Sequence, residues 1–283
     1  MLDKCKISGF ADEIAADFDE QLRVLTDLGQ KFLELRGADG ISVADLTMEK
    51  AAELKEKLDK AGIGVSAIGS PIGKIGITDD FAPHFEKYKK VVELAKFFGT
   101  PYIRMFSFYL PGGEETDKYK EEVFSRMEQF VEYAKEQNVI LLHENEKGIY
   151  GAMASECKQL FERFYGDHFQ GIFDFANFVQ CRQDTLEAYE MLEPYINYFH
   201  VKDAMWENEE VVLPGEGDGH LEEIFTKAAE SGYDGYLSLE PHLFHFKGFE
   251  NLENGDVKKK EGNGALAFRA AHASLCKILG KNS

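Results

Sequence analysis

Four short apolar runs each stop at a residue that can bind a cation or move a proton. Ile196-Asn197-Tyr198-Phe199 ends in His200, with Val201, Lys202 and Asp203 behind it. The run from Val139 to His143 leads into Glu144, Gly171 to Phe173 into Asp174, and Tyr236 to Leu239 into Glu240. A buried strand that delivers chemistry at its tip has this form. Two glutamates, one aspartate and one histidine are thereby offered. Carboxylate oxygens with one imidazole suit a single divalent ion, Mn²⁺ ahead of Mg²⁺, Co²⁺ or Zn²⁺. The competing reading makes each acid a helix cap or a solvated loop residue. Four such residues on consecutive apolar runs argue against it.

Those tips need a scaffold that brings them together. Strand-like runs occur at 6–10, 32–36, 64–68, 102–106, 139–144, 171–174, 196–200 and 236–240. Helical spacing follows each of them, near 17–28, 47–61, 82–98, 119–136, 155–164, 185–192, 221–231 and 265–279. In the first helix Phe18, Leu22, Leu25 and Leu28 share a face and Gly29 closes the element. Eight strand-helix units call for parallel strands with right-handed crossovers, and eight is the number that closes an α/β barrel. The expected fold is one (β/α)8 TIM barrel spanning residues 1–283 as a single domain. An open doubly wound sheet would carry a glycine-rich fingerprint after its first strand, which Gly9-Phe10-Ala11-Asp12 does not supply. In a barrel the C-terminal strand ends ring one cavity, so Glu144, Asp174, His200 and Glu240 converge despite their separation. The polar stretch 248–263, with Lys258, Lys259 and Lys260, reads as a solvated loop over the mouth or an oligomer contact.

Composition narrows the function. The formal net charge of −19 opposes binding to nucleic acid or anionic lipid. Cys5, Cys157, Cys181 and Cys276 form no CxxC pair, which argues against a disulfide framework or a thiolate metal site. The start Met1-Leu2-Asp3-Lys4 lacks a signal-peptide core and no apolar run has the length of a membrane span, so a cytoplasmic location is expected.

His143-Glu144-Asn145, Phe173-Asp174-Phe175-Ala176-Asn177, His200-Val201-Lys202-Asp203, Gly215-Glu216-Gly217-Asp218 and Leu239-Glu240-Pro241 resemble, in this order, the signature positions of the sugar phosphate isomerase/epimerase family. That family lies in the xylose isomerase-like TIM barrel superfamily. Gly9-Phe10-Ala11-Asp12-Glu13 and Glu34-Leu35-Arg36 fit as well, so the likeness spans essentially the whole chain. The resemblance implies a metal-dependent isomerase or epimerase acting on a small sugar or sugar phosphate. It makes Glu144, Asp174, His200 and Glu240 the metal ligands, with Glu144 and Glu240 doubling as the acid and base. Proton abstraction next to a carbonyl then passes through an enediolate that the cation stabilises. The resemblance also implies a homodimer or homotetramer.

Two positions depart from the ketose 3-epimerases of that superfamily. Asn177 stands three residues after Asp174, where they carry a substrate-binding histidine. An amide binds a hydroxyl but shuttles no proton at neutral pH. Trp206 stands six residues after His200, where they carry an arginine; it can stack on a sugar or plug a loop. Lys202 is a further candidate for a substrate oxygen, or else the partner of Asp203 or a barrel acid. Arg104 and Arg36 can receive a carboxylate or phosphate, or can neutralise Glu34 and the mouth acids. Strand alternation points His143 and His242 away from the metal, and Phe244, His245 and Phe246 are candidate pocket residues. The loop Pro214 to Gly219 offers amides for an anion, yet its own acids favour a lid. Against the isomerase stand an inosose-dehydratase-like lyase, an endonuclease IV-like nuclease and a sugar-binding subunit without turnover. The nuclease would need histidines at the third and fourth strand ends, where Ile68-Gly69 and Arg104-Met105-Phe106 occur.

Overall fold

The computed structural model describes residues 2–112, 116–243 and 264–281. Eight parallel strands form one sheet: β1 (Lys6–Gly9), β2 (Phe32–Leu35), β3 (Gly64–Ile68), β4 (Tyr102–Met105), β5 (Ile140–Glu144), β6 (Phe169–Asp174), β7 (Ile196–Val201) and β8 (Tyr236–Leu239). Sequential strands are neighbours from β2 to β8, and β8 pairs with β1. A parallel bridge between Phe10 and Glu34 joins the ends of β1 and β2, so the sheet curls into a (β/α)8 barrel.

The helices are α1 (Phe18–Asp27), α2 (Met48–Ala61), α3 (Phe81–Phe98), α4 (Lys120–Gln137), α5 (Ala154–Phe164), α6 (Phe175–Gln180), α7 (Thr185–Leu192), α8 (Leu221–Glu230) and α9 (Gly264–Ile278). Their starts follow local chemistry. Asp17, Thr47 and Asp184 each accept a backbone N–H of the first turn. Most of the buried apolar side chains lie between helices and sheet, where Phe173, Phe199 and Phe225 pack edge to face.

Inside the barrel lies a smaller layer of Ala67, Leu142, Ile172 and Tyr198, with Tyr102, Ile140 and Tyr236 against it. Because a strand repeats every second residue, Leu142 puts Glu144 on the interior face, Ile172 puts Asp174 there and Tyr198 puts His200 there. The apolar layer is the floor on which the polar groups stand. His143, one residue out of phase, turns outward as expected, its ring edge-on to Phe161 and its Nε2 at 2.9 Å from Ser107 Oγ.

Some features were not expected. Two small hairpins, Gly37–Ala38 with Ile41–Ser42 and Asp203–Ala204 with Val211–Val212, lie in loops after β2 and β7. Helix α6 intervenes between β6 and α7 because Phe175, Ala176, Phe178 and Val179 all find buried surface. The polar stretch 248–263, Phe244, His245 and Phe246 lie outside the described residues. Among those described, no helix is long and apolar enough to cross a membrane.

Candidate metal centre and active site

Glu144 closes β5, Asp174 closes β6, His200 stands one residue before the end of β7, and Glu240 directly follows β8. All four are buried, and one ligand atom from each lies within 4.8 Å of the others. His200 Nδ1 is 2.8 Å from Glu144 Oε1 and 3.7 Å from Glu240 Oε2. Lys202, two residues beyond His200, keeps the interior face; its Nζ lies 3.1 Å from Asp174 Oδ2 and donates to Glu240 Oε2 at 3.2 Å.

The electrostatics follow from crowding charges away from water. Burial alone would raise the Glu144 carboxyl, but His200 and Arg104 hold it down at about 2. Burial would strip the proton from His200, yet Glu144 and Glu34 on its two sides push its pKa up to about 10. Glu240 is likewise buried and is held well below the usual carboxylate range by Lys202, His242 and His200. Asp174 goes the other way. Burial lifts it to about 7 against the pull of Lys202, with Glu240 and Glu144 adding to the rise.

Asp174 also tests whether a cation fits. Its Oδ1 caps α6 by accepting the Asn177 N–H at 2.7 Å, so the helix-cap reading holds for that oxygen. Its buried Oδ2 has no hydrogen-bond donor among the described residues, and the Lys202 ammonium beside it lacks the geometry to donate. Around the cavity six carboxyl groups, Asp12, Glu13, Glu34, Glu144, Asp174 and Glu240, face three cationic side chains, Arg36, Arg104 and Lys202. Among the described residues the balance is 3 − 6 = −3 with His200 and His242 neutral and 5 − 6 = −1 with both protonated, negative in either state. An open oxygen, a negative balance and a set of three carboxylates with one imidazole suit a divalent ion. His200 would have to offer an unprotonated ring nitrogen to hold such an ion.

Arg104 Nη1 donates to Glu144 Oε2 at 3.2 Å and lies 3.8 Å from Glu240 Oε1, while its other nitrogens donate to the Gly69 and Ser70 carbonyls. It is therefore bound to the acids rather than open to an anion. Arg36 pairs with Asp12, Glu13 and Glu240, whereas Glu34 turns to His200, so Arg36 neutralises mouth acids but not Glu34. Both guanidiniums lie over the Phe10 ring, at 4.4 and 4.8 Å. Gly69 is required there, since a Cβ would come within 2.6 Å of that ring.

Asn177 is buried, its side-chain amide donating to the Asn145 carbonyl at 2.9 Å and reaching Glu144 Oε1 at 3.5 Å. Asn145 in turn makes two bonds with the Asp174 backbone, a clamp between β5 and β6 that went unassigned in the sequence. Trp206 is exposed, with the Arg182 guanidinium 5.7 Å from its ring, and does not join the buried cluster. His242 corrects the expectation of an outward-pointing ring. Its Nε2 lies 3.2 Å from Glu240 Oε1 and 3.3 Å from Glu13 Oε1. His242 stands two residues after Glu240, a step that returns to the same face rather than reversing it, so alternation gave no ground for an outward ring. Glu13, Glu240 and His242 form a second acidic group, and Arg36 supplies its positive charge.

The glycine loop does cradle an anion, and the anion is its own. Asp203 accepts the N–H groups of Gly215, Gly217 and Gly219 at 2.9, 3.0 and 2.9 Å, and that of Ala204 as well. A Cβ on Gly217 would sit 2.5 Å from Asp203 Oδ1, so no other residue fits. Lys202 pairs with the barrel acids and not with Asp203.

No curated protein sequence matches the chain. Among solved structures it is similar to a D-psicose 3-epimerase with D-tagatose from Clostridium cellulolyticum H10, with a TM-score of 0.74 and 15% identity over 97% of this chain and 98% of that one. It is similar to a probable 3-DHS dehydratase from Bacillus anthracis, with a TM-score of 0.74 and 17% identity over 98% and 100% of the two chains. A Mycobacterium smegmatis barrel in complex with magnesium gives a TM-score of 0.67 and 16% identity over 97% of each. The xylose isomerase-like TIM barrel family model matches residues 22–259. The chain belongs to the xylose isomerase-like TIM barrel family.

Proposed function

We propose that the protein is a divalent-metal-dependent sugar isomerase or epimerase in which Glu144 and Glu240 exchange the proton. The observation that carries this reading is the convergence of Glu144, Asp174, His200 and Glu240 on one buried spot. These four would hold the ion. When bound, it would polarise a carbonyl and stabilise the negative charge that develops as the adjacent C–H loses its proton.

The chain's own residues supply the rest. Glu144 and Glu240 belong to β5 and to the end of β8, separated in the sheet by β6 and β7, so their carboxylates approach the cavity from different directions. One takes the proton and the other returns it, to the opposite face in epimerisation or to the next carbon in isomerisation. Arg104 lies between the two glutamates and orients both, and Arg36 holds Glu240 from the rim. Lys202 and Asn177 are donors beside the ligands for substrate hydroxyls, and Trp206 offers a stacking face at the rim. Burial of all four ligands keeps bulk water from the transferred proton.

The test is proton-deuterium exchange at the α-carbon of a panel of ketoses and ketose phosphates in D₂O, followed by NMR with the metal-loaded protein. Epimer or isomer formation that disappears in Glu144→Gln and in Glu240→Gln supports the pair, whether or not one variant still exchanges the α-proton. Full product formation in either variant overturns it, and a product lacking a hydroxyl group marks a lyase instead.

A further inference from the structure

Glu34 is a carboxylate inside the barrel, between Leu33 and Leu35, with a relative exposure of 1%. The β2–β3 register shifts there. Leu33 faces Val65 but Glu34 faces Ala67, so Ser66 is the extra residue of a bulge that re-aims the strand. Glu34 Oε2 and Oε1 lie 3.1 and 3.3 Å from His200 Nε2, on the side of the ring away from Glu144. Ser238 Oγ donates to Glu34 Oε2 at 2.7 Å, tying β8 to β2 through this one side chain. Beneath it Ser66 Oγ joins Ser8 Oγ at 2.6 Å and Tyr198 OH at 2.8 Å. Phe10 and Tyr198 meet the His200 ring edge to face at 5.1 and 5.8 Å, so its plane is fixed from both sides.

We propose that Glu34 is a positioning residue of the metal centre: it accepts the Nε2–H of His200 and so fixes Nδ1 as the ring nitrogen presented to the ion. The proposal rests on His200 being a ligand. A carboxylate behind a ligating imidazole sets the tautomer and raises the donor strength of the other nitrogen, and its loss weakens metal binding by about 10- to 100-fold. A purely structural carboxylate would leave affinity and tautomer unchanged.

The test uses the full-length protein. Zn²⁺ binding is titrated calorimetrically for the parent, Glu34→Gln, Ser238→Ala and His200→Ala. Nitrogen-15 imidazole spectra of the Zn²⁺-loaded forms then locate the ring proton, with the His200 signals assigned by their loss in His200→Ala. The expected result is an affinity loss of about 10- to 100-fold in Glu34→Gln and a smaller one, about three- to tenfold, in Ser238→Ala. The parent should carry the proton on Nε2, and that signal should move in Glu34→Gln. Ser238→Ala keeps the carboxylate and removes only its anchor, so it carries the test if Glu34→Gln does not fold. Parent-like affinity in Glu34→Gln, or in Ser238→Ala where that is the variant available, overturns the role of Glu34 while His200→Ala still loses the ion. Parent-like affinity in His200→Ala removes the metal-centre reading itself, and this proposal with it.

Discussion

Strands β5 to β8 and strands β1 to β4 contribute to the same cavity by different means. The first group presents Glu144, Asp174, His200 and Glu240, each at a strand tip and each able to hold an ion. The second group and its loops present Glu34, Arg36 and Arg104, which touch the first set through charge-assisted bonds across the barrel, and Asp12 and Glu13, which hold Arg36. On the proposed function one half supplies the groups that act. The other fixes their orientation and offsets their charge. The consequence is a division of mutational effects, since neutralising Asp174, the ligand whose charge its surroundings disfavour, relieves repulsion among buried acids, whereas removing a counter-charge exposes that repulsion.

The largest effect should come from the ligand half. Glu144→Gln and Glu240→Gln are each expected to lower turnover by about 10²- to 10⁴-fold, while Asp174→Asn, which removes the ligand charge that burial and its acid neighbours disfavour, leaves the metal-free protein equal to the parent or above it in urea melts. Loss of stability in Asp174→Asn would break the comparison. The second effect belongs to the counter-charge half. Arg36→Ala strands Asp12, Glu13 and Glu240 and should cost about 3–5 kcal/mol in the same melts; a cost under about 1 kcal/mol would mean the pairs act as surface ion pairs do.

Acid should expose a third contrast. His143 is buried behind the ligand half and burial pushes its pKa down to about 3, below its ordinary value. Its folded form resists protonation, so the stability it contributes is complete above about pH 6.5 and drains away as pH falls towards 3. In His143→Gln the acid limb of stability between those values should be shallower than in the parent. An unchanged slope would place the acid sensitivity elsewhere. The smallest effect should come from the rim. Gly217→Ala presses a methyl on Asp203 and should cost about 1–3 kcal/mol, with metal affinity unchanged because Asp203 touches none of the four ligands.

The two halves also differed in how far the sequence disclosed them. The ligand half was legible because each tip follows an apolar run and alternation fixes its face: Leu142 predicts Glu144, Ile172 predicts Asp174, and Tyr198 predicts His200. The barrel was legible for the same reason, through the recurrence of strand and helix. Glu34 carried a weaker signal, a lone charge between two leucines, and nothing local shows that it meets His200 from 166 residues away. Asp12, Glu13 and Arg36 acquire their roles only when β1, β2 and β8 close on one another. His242 was misread because a two-residue step from Glu240 was taken as a change of face, whereas alternation returns to the same face at every second residue. The glycine loop announced an anion cradle, but not that Asp203 fills it.

The central claim is that one divalent ion is held by the four residues at the ends of β5 to β8. Elemental analysis of protein purified without chelators, beside His200→Ala and Glu240→Gln, tests it most directly. The account predicts about one ion per chain in the parent and little or none in either variant. A parent that is empty and takes up no Mn²⁺, Mg²⁺, Co²⁺ or Zn²⁺ on titration, or variants that bind as the parent does, would contradict it.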